Sequence, residues 1–254
     1  MPLSADTFTV NLYLALASPL IGSGIAAGTA RFANGAAWDF TPSSCPACGR
    51  RLGLMELIPV VSWAAQGGKC RGCSAPISRS YPIIELSAVG VAVWAWLATP
   101  PAVFAATCIM GWLLLALAAI DIRTRRLPDL LNLALCLSGF VVTAMIDVNL
   151  LVDHLAAAAI GYGALVAVEL AYRRLRGKDG LGRGDSKLLG AIGAWVGLQG
   201  LAACLFVGAA SAIVYILVVS RVRGTEIRGD LAIAFGPFLA LGGWLTWVYG
   251  PVLF

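Results

Sequence analysis

The chain has 254 residues, of which 59% are hydrophobic and only 12% charged, and its mean hydropathy is +0.86. Soluble domains carry roughly 25% charged residues, so this composition excludes an ordinary water-soluble domain and points to a membrane protein. The net charge of +5 would suit a nucleic-acid binder, but in a membrane protein the placement of Lys and Arg reports topology, and no nucleic-acid partner is expected.

Crossing a hydrocarbon core about 30 Å thick takes roughly 20 helical residues. Apolar runs near that length occupy residues 8–29, 81–98, 102–120, 130–147 and 153–172, then a short run at 187–200, then 201–220 and 231–249. They predict an all-α membrane protein with eight transmembrane helices. The first run has no basic residue ahead of it and no convincing small-residue cleavage site, so it is expected to remain as a helix. The expected organisation is a first transmembrane helix at 1–29, a hydrophilic insert at 30–80 and a transmembrane core at 81–254.

Threading these runs alternately across a membrane sorts the charges. Arg31, Arg50, Arg51, Lys69, Arg71 and Arg79 fall in the first connection, and Arg123, Arg125 and Arg126 in the second. Arg173, Arg174, Arg176, Lys178, Arg183 and Lys187 lie in or at the edge of the third, and Arg221, Arg223 and Arg228 in the fourth. All four connections share one side, while the other side carries only the acids Asp6, Asp147 and Asp153. The positive-inside rule makes the basic side cytoplasmic and places the N-terminus outside.

The insert contains Cys45-Pro46-Ala47-Cys48 and Cys70-Arg71-Gly72-Cys73, two Cys-x2-Cys pairs at a separation that suits one four-thiolate zinc site. Two disulfides are the alternative, but a cytoplasmic loop keeps thiols reduced, so structural zinc on Cys45, Cys48, Cys70 and Cys73 is the expectation. Cys108, Cys136 and Cys204 sit singly in apolar runs and read as small hydrophobes. His154, beside Asp153 at the outer end of a span, reads as an interfacial polar residue.

Asp121 ends the third apolar run and leads through a basic stretch to Leu127-Pro128-Asp129. Asp185 opens the sixth, in Gly182-Arg183-Gly184-Asp185-Ser186-Lys187. An ionisable group at membrane depth costs roughly 2.5 to 3.5 kcal/mol on insertion scales, so such residues usually face protein or a wet cavity. Two neighbouring carboxylates can share a proton and work as base and acid on a water and a scissile carbonyl. Helix capping by Asp185 and pairing of Asp121 with an adjacent Arg account for the same residues structurally. Glu169, four residues before Arg173, is expected to make a helix-surface ion pair.

At these residues the sequence resembles the bacterial prepilin peptidase family of intramembrane aspartic proteases. The resemblance rests on Cys45-Pro46-Ala47-Cys48, Leu57-Ile58-Pro59 with Ser62-Trp63, Cys70-Arg71-Gly72-Cys73, Ile77-Ser78 and Tyr81-Pro82-Ile83-Ile84-Glu85. It continues through Asp121, Leu127-Pro128-Asp129, Gly182-Arg183-Gly184-Asp185 with Lys187-Leu188-Leu189, and Phe235-Gly236-Pro237-Phe238. It implies catalytic Asp121 and Asp185, with Gly182, Gly184, Lys187, Pro128 and Asp129 supporting them. It also implies an inner-membrane enzyme that removes the basic leader of type IV prepilins or type II secretion pseudopilins at the cytoplasmic face. Methylation of the new N-terminus with S-adenosylmethionine, an activity associated with the cysteine-bearing region, is implied as well.

The chain departs from the family where it reads Gly22-Ser23-Gly24-Ile25-Ala26-Ala27-Gly28-Thr29-Ala30-Arg31, without the usual Phe and Asn. It departs again in Arg79-Ser80-Tyr81-Pro82, where Arg-Tyr-Pro is usual. Peptidase action without methylation is therefore an alternative, and an ion-coupled carrier is a more distant one. A basic leader would not be drawn to a basic face by bulk electrostatics. Glu56, Glu85, Glu226 and Asp230 are the candidate docking acids, with anionic lipid of the bilayer holding both partners at the surface.

Overall fold

The computed structural model describes residues 5–36, 43–177, 182–224 and 233–250. Among them the chain forms α1 (Ala5–Ala33), the short α2 (Val61–Ala65), α3 (Ser80–Ala98), α4 (Phe104–Thr124), α5 (Asp129–Ile146), α6 (Leu151–Arg176), α7 (Arg183–Arg223) and α8 (Gly236–Tyr249). Six of these, α1 and α3 to α7, are long and apolar enough to cross a membrane. The expected runs at 187–200 and 201–220 are the two arms of α7, whose 41 residues are interrupted at Gly197, and the last expected run holds the 14-residue α8. The all-α, multi-pass architecture is therefore as the hydropathy predicts.

The chain packs as two compact units, Met1–Ala116 and Leu117–Phe254. In the first, α1 lies against α3 at a point where only glycine fits. A Cβ on Gly22 would stand 2.7 Å from the Glu85 Cα and 2.9 Å from the Ala88 Cβ. Between membrane helices, where no hydrophobic force discriminates helix from lipid, such small-residue contacts supply the packing. The Trp112 indole donates to the Ala88 carbonyl at 3.1 Å, and the Asn11 amide donates to the Pro101 carbonyl at 2.8 Å.

In the second unit α7 packs against α5, α6 and α8. Cβ atoms on Gly193 and Gly139 would meet the backbones of Ala157 and Ala194 at 2.7 and 2.9 Å. Trp195 reaches from α7 to donate to the Leu135 carbonyl at 2.7 Å.

The break in α7 shows how backbone polarity is handled at membrane depth. Gly197 has φ 67° and ψ −176°, a conformation open essentially to glycine alone. An interrupted helix frees backbone groups that lipid cannot satisfy. The start of α6 supplies the partners: the Asp153 carboxylate accepts the Leu198 N–H at 3.0 Å, and His154 Nδ1 lies 2.9 Å from the Ala194 carbonyl. His154 is thus a polar clasp on a helix break, a role its position at the end of a span did not reveal. Gly197→Ala would put a methyl group 2.5 Å from an Asp153 carboxylate oxygen at a left-handed φ. It is expected to destabilise the protein by about 2 to 4 kcal/mol, read as a lowered Tm in detergent.

Candidate active site and metal centre

Three helix ends of the second unit converge on Asp121. This residue lies in the last turn of α4 and is 4% exposed. Its Oδ2 accepts the N–H of Gly236, the first residue of α8, at 3.0 Å. The first N–H groups of a helix lack intrahelical partners and carry the positive end of its dipole, so α8 points a ready donor at the carboxylate. Asp185 occupies the first turn of α7. It lies close enough to Asp121 for the two charges to act on one another, although 64 positions separate them in sequence.

The chain between α4 and α5 holds this arrangement. After Thr124 the backbone turns through Arg125 at φ 53°, and Pro128 sits in extended conformation as the N-cap of α5. Leu127 then packs on the start of α7, where a Cβ on Gly184 would approach its side chain to 3.1 Å. Lys187 donates to Asp129 at 2.6 Å across the same junction. Both side chains are well exposed, so the pair contributes less than about 1 kcal/mol and acts mainly on geometry. Gly184, Pro128, Asp129 and Lys187, grouped from the sequence as supporting residues, are thus gathered at one corner beside Asp185. Gly182 caps α7 and lies next to the Asp185 carboxylate.

Glu169 makes the expected pair with Arg173 at 3.0 Å and also reaches Arg183 at 3.6 Å. Glu169 itself is 3% exposed, while the side chains of Arg173 and Arg183 remain exposed. It ties α6 to the opening residue of α7. Sequence reasoning missed that contact, and it missed the part played by Gly236. Phe235-Gly236-Pro237-Phe238 carried a signal for the latter, since Pro in the first helical turn marks a helix start and hence free N–H groups.

Two of the candidate docking acids have partners within the first unit. Glu56 is engaged by the Arg50 guanidinium and by the Gly53 N–H, at 2.9 Å for the latter, and these contacts hold its carboxyl below the usual carboxylate range. Glu85 is 5% exposed and accepts the Val60 N–H at 2.7 Å. Both carboxylates are therefore used inside the first unit. Glu226 and Asp230 lie outside the described residues.

The four cysteines of the first unit form two matching knuckles. In one, Cys45 N–H donates to the Arg50 carbonyl and Gly49 N–H to the Cys45 carbonyl, at 2.9 and 2.8 Å. In the other, Cys70 N–H donates to the Ala75 carbonyl and Ser74 N–H to the Cys70 carbonyl, both at 2.9 Å. The residue after each pair is left-handed, Gly49 at φ 70° and Ser74 at φ 59°. Backbone N–H groups of Cys73 and Gly72 hold the Cys70 thiol down to about 6, and those of Cys48 and Ala47 lower the Cys45 thiol, while the neighbouring cysteines and burial push Cys73 up to about 11.

All four sulfurs lie within 4.8 Å of one another, and Cys45 Sγ is 3.8 Å from Cys73 Sγ. A tetrahedron with metal–sulfur bonds of about 2.3 Å has edges of about 3.8 Å. The donor set fits a metal ion.

The fold and these two sites define a multi-pass membrane protein that carries a buried aspartate at a helix end, a second aspartate at the start of α7, and a four-cysteine cluster able to hold a metal ion. Residues 16–99 match the bacterial peptidase A24 N-terminal domain, and residues 108–217 match the type IV leader peptidase family. A prepilin leader peptidase/N-methyltransferase of Dichelobacter nodosus is 38% identical over 210 residues, covering 82% of this chain and 71% of the relative. Its namesake in Aeromonas hydrophila is 38% identical over 214 residues, and that in Pseudomonas aeruginosa 36% over 211, at the same coverage. No solved structure matches the chain. The chain belongs to the type IV leader peptidase family.

Proposed function

We propose that this protein removes the basic leader from type IV prepilins or type II secretion pseudopilins and then methylates the new N-terminus. The observation that carries the peptidase reading is the capture of buried Asp121 by the first N–H of α8, at the junction where Leu127 packs on the start of α7 that bears Asp185. Gly236 holds one oxygen of Asp121, so the carboxylate has a defined orientation toward the reacting water. Asp121 takes a proton from that water, whose oxygen attacks the scissile carbonyl, while Asp185 gives a proton to the carbonyl oxygen. Collapse of the tetrahedral species breaks the C–N bond, and the departing nitrogen takes up a proton to leave as an amine. Gly182 and Gly184 leave room for an extended substrate strand. The names of the relatives support a prepilin leader peptidase, and the apolar helices with the positive-inside rule support an inner-membrane enzyme with its site on the cytoplasmic side. Residues 1–29, 30–80 and 81–254 serve as first helix, insert and catalytic core.

In the insert, Cys45, Cys48, Cys70 and Cys73 hold zinc, and four thiolates leave no position for a reacting water, so the ion is structural. Cys70→Ser is expected to lower bound zinc from one per chain to none and to open residues 43–79 to protease. Elemental analysis and limited proteolysis read both effects.

The function is tested by incubating the purified protein with a prepilin, with and without S-adenosylmethionine, and following masses. Loss of the leader is expected in both cases, with a further 14 Da on the new N-terminus only when the methyl donor is present. An intact prepilin would overturn the peptidase reading. Cleavage without the added mass would leave a peptidase alone.

A further inference from the structure

Residues 54–65 connect the two metal knuckles and run Leu54-Met55-Glu56-Leu57-Ile58-Pro59-Val60-Val61-Ser62-Trp63-Ala64-Ala65. Glu56 is the only charged residue among them, and it is turned back onto Arg50 and Gly53. The apolar side chains face outward instead: Leu54 is 86% exposed, Met55 71%, Val61 61% and Ile58 42%.

Much of the backbone of this segment is hydrogen-bonded within the first unit. Glu56 and Leu57 donate to Gly53 and Leu54, while Val61, Ser62 and Ala64 donate to Pro59, Ile58 and Val60. Pro59 has no N–H to place. Val60, left-handed at φ 62°, gives its N–H to the Glu85 carboxylate. A polypeptide in the hydrocarbon core must satisfy its polar backbone internally, whereas one lying in the interface plane keeps its remaining N–H groups, here those of Leu54, Met55 and Ile58, within reach of headgroups and water.

The bond to Glu85 also sets depth. With 19 residues and a rise of about 1.5 Å each, α3 is about 28 Å long, barely the thickness of a hydrocarbon core. Its Ser80 end therefore has no slack to stand clear of the bilayer, and Glu85 lies about 7 Å further in along the axis. A segment tied to Glu85 sits at the boundary between headgroups and acyl chains.

We propose that residues 54–65 are a monotopic membrane anchor, with Leu54, Met55, Ile58 and Val61 inserted among the lipids of the leaflet on the insert's side. The exposed Arg51, Lys69, Arg71 and Arg79 of the same insert suit the anionic headgroups above them. The four-cysteine centre is then held against the membrane surface rather than free in solution. This inference does not depend on which reaction the aspartates perform.

The test places p-benzoylphenylalanine singly at Leu54, Met55 and Ile58, and at Lys69 for comparison, in full-length protein. The protein is reconstituted in vesicles of phosphatidylethanolamine and phosphatidylglycerol. After irradiation, mass spectrometry is expected to find lipid adducts at the three apolar positions at least about tenfold above position 69. Equal yields, or no lipid adducts at the apolar positions, would overturn the proposal. So would adducts only to a second copy of the chain, or replacement of the lipid adducts by prepilin adducts once substrate is added. The three positions are independent, so failure of one variant to fold leaves the result readable.

Discussion

Asp121→Asn is expected to lower leader cleavage by at least about a thousandfold, close to 4 kcal/mol in transition-state energy, and Asp185→Asn to do the same. An amide keeps the shape of the side chain and removes its capacity to exchange a proton. Asn at position 121 still accepts the Gly236 N–H through its oxygen, so the junction of α4 with α8 survives. The two losses should not add: if the residues act as one unit, the double variant is no slower than either single one. Purified variants, compared by prepilin mass shift and by thermal melting, give the result. Cleavage within about tenfold of the parent in either variant would remove that residue from the reaction. An unchanged melt separates lost chemistry from lost fold.

Gly236→Ala is expected to cost on the order of a hundredfold in kcat with little change in KM. The added Cβ would stand 2.7 Å from Asp121 Oδ2 and 3.1 Å from its Cγ. The carboxylate has to swing away from the N–H that orients it. Alanine is the better helix former and Gly236 opens α8, so the substitution should not lower the Tm of the helix it starts. That combination, slower turnover with an undiminished melt, distinguishes a positioning role from a packing role. Full activity would show that the contact does not orient the reacting group.

The aspartates and the cysteines were legible in the sequence because their signals are local. Charge at the edge of an apolar run costs free energy wherever the chain goes, and Cys-x2-Cys presents two thiolates from one turn. The intramolecular contacts of Glu56 and Glu85 were not legible for the converse reason. An acid near a basic loop looks available until it is known that Arg50 folds onto the first and the Val60 N–H onto the second. Gly197 carries no local mark of the break it makes in α7. Its left-handed φ, and the Asp153 and His154 side chains that serve the freed backbone, come from α6 and are invisible in the local string.

What the sequence determined by itself is the membrane class, the succession of apolar helices, the four-cysteine insert and the choice of two aspartates as candidates. Each follows from composition, period or spacing within a stretch no longer than one helix, or from motifs shared across the family. What only the tertiary structure decided is the partnership of Asp121 with Gly236, 115 positions away, the clasp of Leu127 on Gly184 and the bond of the Val60 N–H to Glu85. These are contacts between distant parts of the chain, set by how helices of given lengths pack, and hydropathy carries no record of which helix end meets which.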